Sequence, residues 1–162
     1  MNSAETVFDI IDGERDYQDV KWGKDHSHDV AAFVVFMREY HNQVVRRASK
    51  ENGWSGALDE LRKVAALGVA CMEKHGVCFG DLRETDRETI YSYVERELLA
   101  ESISLGRYII KIGKIIYLME NKVAEGRNEG IYRSALDYML HCVSDCVGCM
   151  MQHGVVARRV VQ

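Results

Sequence analysis

Apolar residues recur every three or four positions in six stretches of the chain, a spacing typical of helices that bury one face. No stretch shows the alternation between turns that predicts a strand. The predicted helices run from about residue 5 to 22, from 30 to 50, from a cap at 55 to 75, from 85 towards 104, from 105 to 123, and from a cap at 134 onward. The stretch 105–123 is rich in isoleucine and apolar on most sides, so we expect that helix to be the most deeply buried.

Polar side chains that can accept a hydrogen bond from a free backbone N–H mark where these helices begin. The predicted caps are Asp29 or Ser27, then Ser55, Thr85 (which forms a Thr-x-x-Glu capping box with Glu88) and Ser134.

The chain contains an internal repeat. Residues 57–77 (ALDELRKVAALGVACMEKHGV) align without a gap to residues 135–155 (ALDYMLHCVSDCVGCMMQHGV), 78 positions later, with nine of 21 pairs identical. A repeat is strong evidence for how a fold is built. We therefore predict an all-α helical bundle of about six helices, built from two three-helix repeats in a pseudo-twofold arrangement. Residues 1–162 would form a single domain in which the repeats, about 5–77 and 85–155, share one core.

Composition narrows the functional classes. The net charge of −4 argues against binding nucleic acid through bulk charge. No apolar run is long enough to cross a membrane, and the first residues lack the pattern of a signal peptide. Five cysteines, an odd number mostly within apolar helical pattern, indicate reduced thiols, so we expect a cytoplasmic protein. Self-association is left open.

Cys142, Cys146, Cys149 and His153 fall on one stripe of the last predicted helix. Zinc binding and redox chemistry are two interpretations of such a stripe. One straight helix cannot wrap four ligands tetrahedrally around an ion, however, and free cysteine packs as a small apolar residue. We therefore predict that these cysteines belong to the core.

Acidic and amide side chains recur on helix faces of the first half, and aromatic residues lie near the helix ends. The polar groups are Glu14 with Gln18, Glu39 with Asn42, and Asp59 with Glu60. Carboxylates from neighbouring helices can converge on Mg²⁺, although a solvated surface gives the same pattern. Trp22 and Trp54 are candidates for stacking on a nucleobase, although packing also explains aromatic residues here.

Three segments resemble one family. Residues 13–23 (GERDYQDVKWG) resemble the opening helix of phage-type members of the MazG-like family. Residues 36–40 (FMREY) lie where the second helix of that family carries Glu-x-x-Glu. Residues 57–76 are similar to its third helix, which ends in His-Gly. The resemblance covers about residues 5–77 and recurs faintly in the second half.

The resemblance implies an all-α nucleoside triphosphate pyrophosphohydrolase that cleaves between the α- and β-phosphates with Mg²⁺. Glu39 and Glu60 would be the catalytic metal ligands, supported by Glu14 and by Asn42, which replaces the second Glu of the motif. Lys63 replaces the usual Asp of the third helix.

Lys63 would instead contact phosphate, and the substrate-binding set would be Lys63, Gln18, Trp22 and Trp54. With one residue of slippage in the loop, Leu118 of the second half matches Glu39, and Tyr138 matches Glu60 without slippage, so the chain would hold one site. The alternative is a catalytically inactive relative that binds a nucleotide or a host protein. Either protein would be phage-encoded and would act in the host cytoplasm.

Overall fold

The computed structural model describes residues 2–23, 25–50 and 54–159. Six α-helices and no strand occur in these residues. The helices are α1 (Ala4–Trp22), α2 (Val30–Ala48), α3 (Trp54–His75), α4 (Arg87–Arg96), α5 (Leu105–Ala124) and α6 (Glu129–His153). The prediction of an all-α bundle with six helices is confirmed.

Three helices begin elsewhere than predicted. Ser55 lies inside the first turn of α3, which already starts at Trp54, so it is not the cap. The cap of α4 is Asp86 rather than Thr85, since the Asp86 carboxylate accepts the bond from the Thr89 N–H at 2.8 Å.

The last helix also starts earlier than predicted, because Asn128 and not Ser134 is its cap. The Asn128 side chain accepts from the Ile131 N–H at 2.9 Å, which places Ser134 in the second turn of α6. Helix α4 was expected to continue towards Ser104 but ends at Arg96. By contrast, Asp29 caps α2 as predicted, accepting from the Ala32 N–H at 2.8 Å.

Helices α3 and α6 pack against each other at the centre of the bundle. They approach so closely that a Cβ atom on Gly68 would collide with the side chain of Val143. Helix α2 packs on α3 and α5 packs on α6, while α2 and α5 also contact each other. Helices α1 and α4 cover α3 and α6 from other sides.

The prediction that the isoleucine-rich helix α5 is the most deeply buried is wrong. The most deeply buried helices are α3 and α6, since other helices cover them on several sides. Helix α5 lies in an outer layer, where Ile110, Tyr117 and Leu118 are 62%, 60% and 42% exposed. Apolar periodicity reports which residues can be buried but not whether a neighbour covers them.

The two halves make the same contact at matching places. At the end of α3, His75 Nε2 lies 2.9 Å from the carbonyl oxygen of His28. At the end of α6, His153 Nε2 lies 2.6 Å from the carbonyl oxygen of Ile103. Each acceptor lies two residues before the first residue of α2 or α5. Each histidine is the last residue of its helix and contacts the segment just before the preceding helix.

The cysteines of α6 are buried, so the prediction that they belong to the core is confirmed. Burial raises the pKa of the Cys149 thiol to about 12, which keeps it protonated and unreactive near neutral pH. No group of three or more His, Cys, Asp or Glu side chains in the described residues could hold a metal ion. Within those same residues, no helix has the length and apolarity needed to cross a membrane.

Candidate functional site

A pocket of about 160 Å³ opens between α1, α2, α3 and the C-terminal segment that follows α6. We call it the cationic pocket; its lining residues are Glu14, Tyr17, Gln18, Lys21, Trp22, Tyr40, Lys63, Leu67 and Arg158. It contains three cationic side chains and one carboxylate, together with three aromatic rings. Four of the residues predicted to form the site, Glu14, Gln18, Trp22 and Lys63, meet here.

Glu14 is buried and already paired. Arg62 Nε donates to Glu14 Oε1 at 2.8 Å, and both side chains are nearly inaccessible to water. Arg62 also bonds Asp59 and, through Nη1, the carbonyl oxygen of Val156 at 2.7 Å. Arg62 therefore neutralises the carboxylate of the pocket, whose lining also includes Lys21, Lys63 and Arg158.

Glu60 is also held by cations. Its carboxylate accepts from Arg47 Nη1 at 3.0 Å and from Lys63 Nζ at 3.3 Å. Lys63 in turn lies with its ammonium 5.5 Å from the ring centroid of Tyr40. Glu60 therefore acts on the pocket indirectly, by holding the Lys63 ammonium at its wall.

Glu39 and Asn42 are exposed on α2, outside the cationic pocket. The Glu39 carboxylate accepts from Gln43 Nε2 at 3.3 Å and lies 4.0 Å from Arg46. Trp54 is 59% exposed at the start of α3 and is also not part of the lining. The structure therefore brings together only part of the predicted set.

These contacts do not fit the predicted Mg²⁺ site. A Mg²⁺ ion prefers several carboxylate or amide oxygens that converge on one point. Here Arg62 neutralises Glu14, and Arg47 and Lys63 neutralise Glu60, while Glu39 lies outside the pocket. Binding of Mg²⁺ therefore stays a prediction that the geometry does not support.

Gln18 and Trp22 are held in fixed positions along α1. Gln18 Oε1 accepts from Arg15 Nη1 at 3.0 Å, so the side-chain amide has a defined orientation. The Trp22 ring packs edge-on against His28, with centroids 5.1 Å apart, and stacks beside Phe36 at 6.1 Å. Both side chains therefore have neighbours that orient them at the wall of the pocket.

Two cations of the pocket, Lys21 and Arg158, were missed by sequence reasoning, and Arg158 is the more distant in sequence. Arg158 lies in the segment that follows α6. Its guanidinium lies 3.1 Å from the ring centroid of Tyr17, and its Nη1 lies 4.0 Å from Glu14 Oε2. Gly154, with φ of +117°, ends α6 and lets the chain turn back over α1 and α3. No local sequence signal marks this contact, because it depends on where the end of α6 lies in the bundle.

A larger cavity of about 500 Å³ lies between α1, α3 and the turn before α4. We call it the polar cavity; its lining residues are Arg15, Asp19, His26, Glu73, Lys74, Glu84, Thr85 and Asp86. Four of these are carboxylates and two are permanent cations. Arg87 lies beside it and bonds Glu73 at 2.8 Å and Asp19 at 3.0 Å.

No family model, no curated protein and no solved structure matches this chain.

Proposed function

We propose that the protein is a nucleotide-binding helical bundle of MazG-like type, in which the cationic pocket holds the phosphate end of a nucleotide without hydrolysing it. One observation carries the proposal. Lys21, Lys63 and Arg158 converge on a pocket whose one carboxylate, Glu14, is already neutralised by Arg62. Ammonium and guanidinium groups bind phosphate through charge-assisted hydrogen bonds.

The size of the pocket supports binding of one end of the ligand. Pockets that bury a whole small molecule measure roughly 300–1,000 Å³, whereas the cationic pocket measures about 160 Å³. That volume suits phosphate groups, with the nucleoside directed outward. Trp22 and Tyr40 line the same pocket and offer apolar surface to the sugar or base.

Two contacts keep the cations in place for an incoming anion. Lys63 is held by Glu60, and Arg158 is stacked on Tyr17. Side chains that are already ordered lose less entropy when the ligand binds, which increases affinity. Base stacking on Trp54, outside this pocket, stays an untested prediction.

Pyrophosphohydrolase activity with Mg²⁺ is the other proposal that the resemblance allows. It requires carboxylates free to bind the ion, and the ion pairs of Glu14 and Glu60 count against it. A host protein as partner and a phage origin with action in the host cytoplasm rest on the resemblance alone.

We also propose that the six helices form two equivalent triplets around a pseudo-twofold axis and share one core as a single domain. Two observations support this arrangement: the repeat at an interval of 78 residues, and the matched contacts of His75 and His153 with the preceding helix starts. The close packing of α3 on α6 supports a shared core.

The test is calorimetric titration with nucleoside mono-, di- and triphosphates, with and without Mg²⁺, combined with an assay for released pyrophosphate. We expect binding without Mg²⁺ that strengthens with the number of phosphates, and no release of pyrophosphate. Lys63→Ala should weaken binding about 10-fold or more, because a hydrogen bond to a charged group contributes about 1.5–3 kcal/mol.

Arg46→Ala is the matched control, since Arg46 is an exposed cation on α2 outside the pocket. Equal affinities of wild type and Lys63→Ala would contradict the proposed site. Pyrophosphate release that depends on Mg²⁺ and is lost in Glu60→Gln would establish the hydrolase instead.

A further inference from the structure

One face of α5 is apolar and cationic, and the rest of the described chain does not cover it. The exposed residues of α5 between positions 106 and 118 are Gly106, Arg107, Ile110, Lys114, Tyr117 and Leu118. They recur at intervals of one, three or four and so lie along one stripe of the helix. At 1.5 Å per residue this stripe is about 18 Å long. We call it the α5 stripe.

A groove of about 270 Å³ adjoins the stripe near the start of α5. Ile103 and Ile110 line it together with three cations, Arg107, Lys111 and Lys114, and with Glu101. Lys111 is paired with Asp145 at 3.3 Å. Within residues 2–23, 25–50 and 54–159, Arg107 and Lys114 form no ion pair with a carboxylate. The stripe therefore combines exposed apolar surface with cations free to bind an anion.

We infer that the α5 stripe binds an acidic amphipathic helix of another protein. A partner helix of about three turns would place its apolar residues on Ile110, Tyr117 and Leu118. Glu or Asp residues that flank its apolar face would reach Arg107 and Lys114. Charge complementarity of this kind sets the specificity and the association rate of an interface.

A second copy of the chain fits the stripe poorly. In a symmetric dimer the same patch faces itself, so α5 would pack against α5 of the other copy. Each stripe contributes Arg107 and Lys114 and no carboxylate, and the adjoining groove adds one carboxylate, Glu101, so unpaired cations would outnumber carboxylates and like charges would be brought together. The inference is independent of the proposed nucleotide site, which is formed by α1, α2, α3 and the C-terminal segment.

The experiment uses the full chain and two synthetic 18-residue helical peptides. Both carry Leu at heptad positions a and d; one has Glu at e and g, and the control has Lys there. Binding is measured by calorimetry and mapped by amide chemical shifts. We expect only the Glu peptide to bind, to shift resonances of α5, and to bind more weakly as salt increases.

Lys114→Glu and Tyr117→Ser should each weaken binding of the Glu peptide at least 10-fold. Both positions are exposed, so the variants should keep the helical circular dichroism of the wild type. Arg46→Glu, the same charge reversal at an exposed position of α2, should leave the affinity unchanged.

The inference would be overturned if neither peptide bound, if both bound equally, or if the chemical-shift changes were confined to other helices. A wild-type dimer in sedimentation analysis that becomes monomeric in Leu118→Ser would assign the stripe to a second copy. Binding to phosphatidylserine vesicles without binding to the Glu peptide would assign it to a lipid surface. Both results would overturn the proposal of a protein helix.

Discussion

The polar cavity and the cationic pocket both lie against α1 and α3, but the balance of charge in them is opposite. The polar cavity is the larger and is lined by four carboxylates and two permanent cations. The cationic pocket is about a third of that volume, and its three cations face one neutralised carboxylate. By the count of lining charges alone, an anionic ligand is expected to favour the second over the first. The proposed phosphate site therefore follows from the charge of the cationic pocket rather than from its volume.

The largest expected effect is a loss of stability on replacing Arg62, the arginine beside the cationic pocket, compared with Arg87, the arginine beside the polar cavity. Arg62→Met should lower the free energy of unfolding by about 3–5 kcal/mol, because it leaves buried Glu14 without its partner. Arg87→Met, beside the polar cavity, should cost about 1 kcal/mol or less, because Arg87 and its partners are partly exposed. Urea denaturation followed by circular dichroism measures both. Equal losses would show that burial does not distinguish the two networks.

The next largest expected effect is a loss of nucleotide affinity when one charge of the cationic pocket is reversed. Lys63→Asp replaces an ammonium by a carboxylate beside Glu60, so nucleotide affinity should fall about 100-fold or more. The same variant should gain affinity for Mg²⁺, because two carboxylates would then lie one helical turn apart. Calorimetric titration with a nucleotide and with MgCl₂ tests both changes. Unchanged nucleotide affinity would show that Lys63 does not contribute to nucleotide binding.

A smaller effect is expected from the C-terminal segment. Arg158→Ala removes one cation and its stacking on Tyr17, and should weaken nucleotide binding about 10-fold. Arg159→Ala is the matched control, since Arg159 is the neighbouring exposed arginine and does not line the pocket. The same titration compares the two variants. If the two variants lose nucleotide affinity equally, Arg158 acts only through the net charge of the protein.

The smallest expected effect is a pH dependence of stability caused by His26 in the polar cavity. Burial, followed by the positive charge of Lys74, lowers the pKa of His26 in the folded protein. The unfolded chain therefore takes up the proton first, and stability should fall as pH decreases below about 6.5, the ordinary pKa of histidine. Thermal midpoints at pH 7.5 and 5.5 should differ more for wild type than for His26→Asn. An equal difference in the two proteins would contradict this role of His26.

Local signals predicted the helices better than they predicted their surroundings. Asp29 and the pattern after it located the start of α2, because a cap acts on its own helix. The predictions that Thr85 and Ser134 are caps were wrong because other residues close by offer equally good caps. Asp86 caps α4 one position after Thr85, and Asn128 caps α6 six positions before Ser134. The exposure of α5 was missed for a different reason, since it depends on the order in which helices pack.

The candidate site was predictable to the same limited degree. Helical periodicity on α1 placed Glu14 and Gln18 on one face, and both line the cationic pocket. The sequence could not show that Arg62 and Arg47 neutralise the acidic groups. The ion pairs of Arg47 with Glu60 and of Arg62 with Glu14 join residues 13 and 48 positions apart, and only tertiary structure brings such residues into contact.

The tight crossing of α3 and α6 has a consequence for the proposed two-repeat arrangement. Gly68 opposes Val143, whose counterpart 78 positions earlier is Ala65, while the counterpart of Gly68 is Cys146. A protein built from two first halves would set glycine against alanine and leave a void, whereas two second halves would set cysteine against valine and collide. Under the proposed two-repeat arrangement, each half complements the other at this crossing, so neither could replace its counterpart.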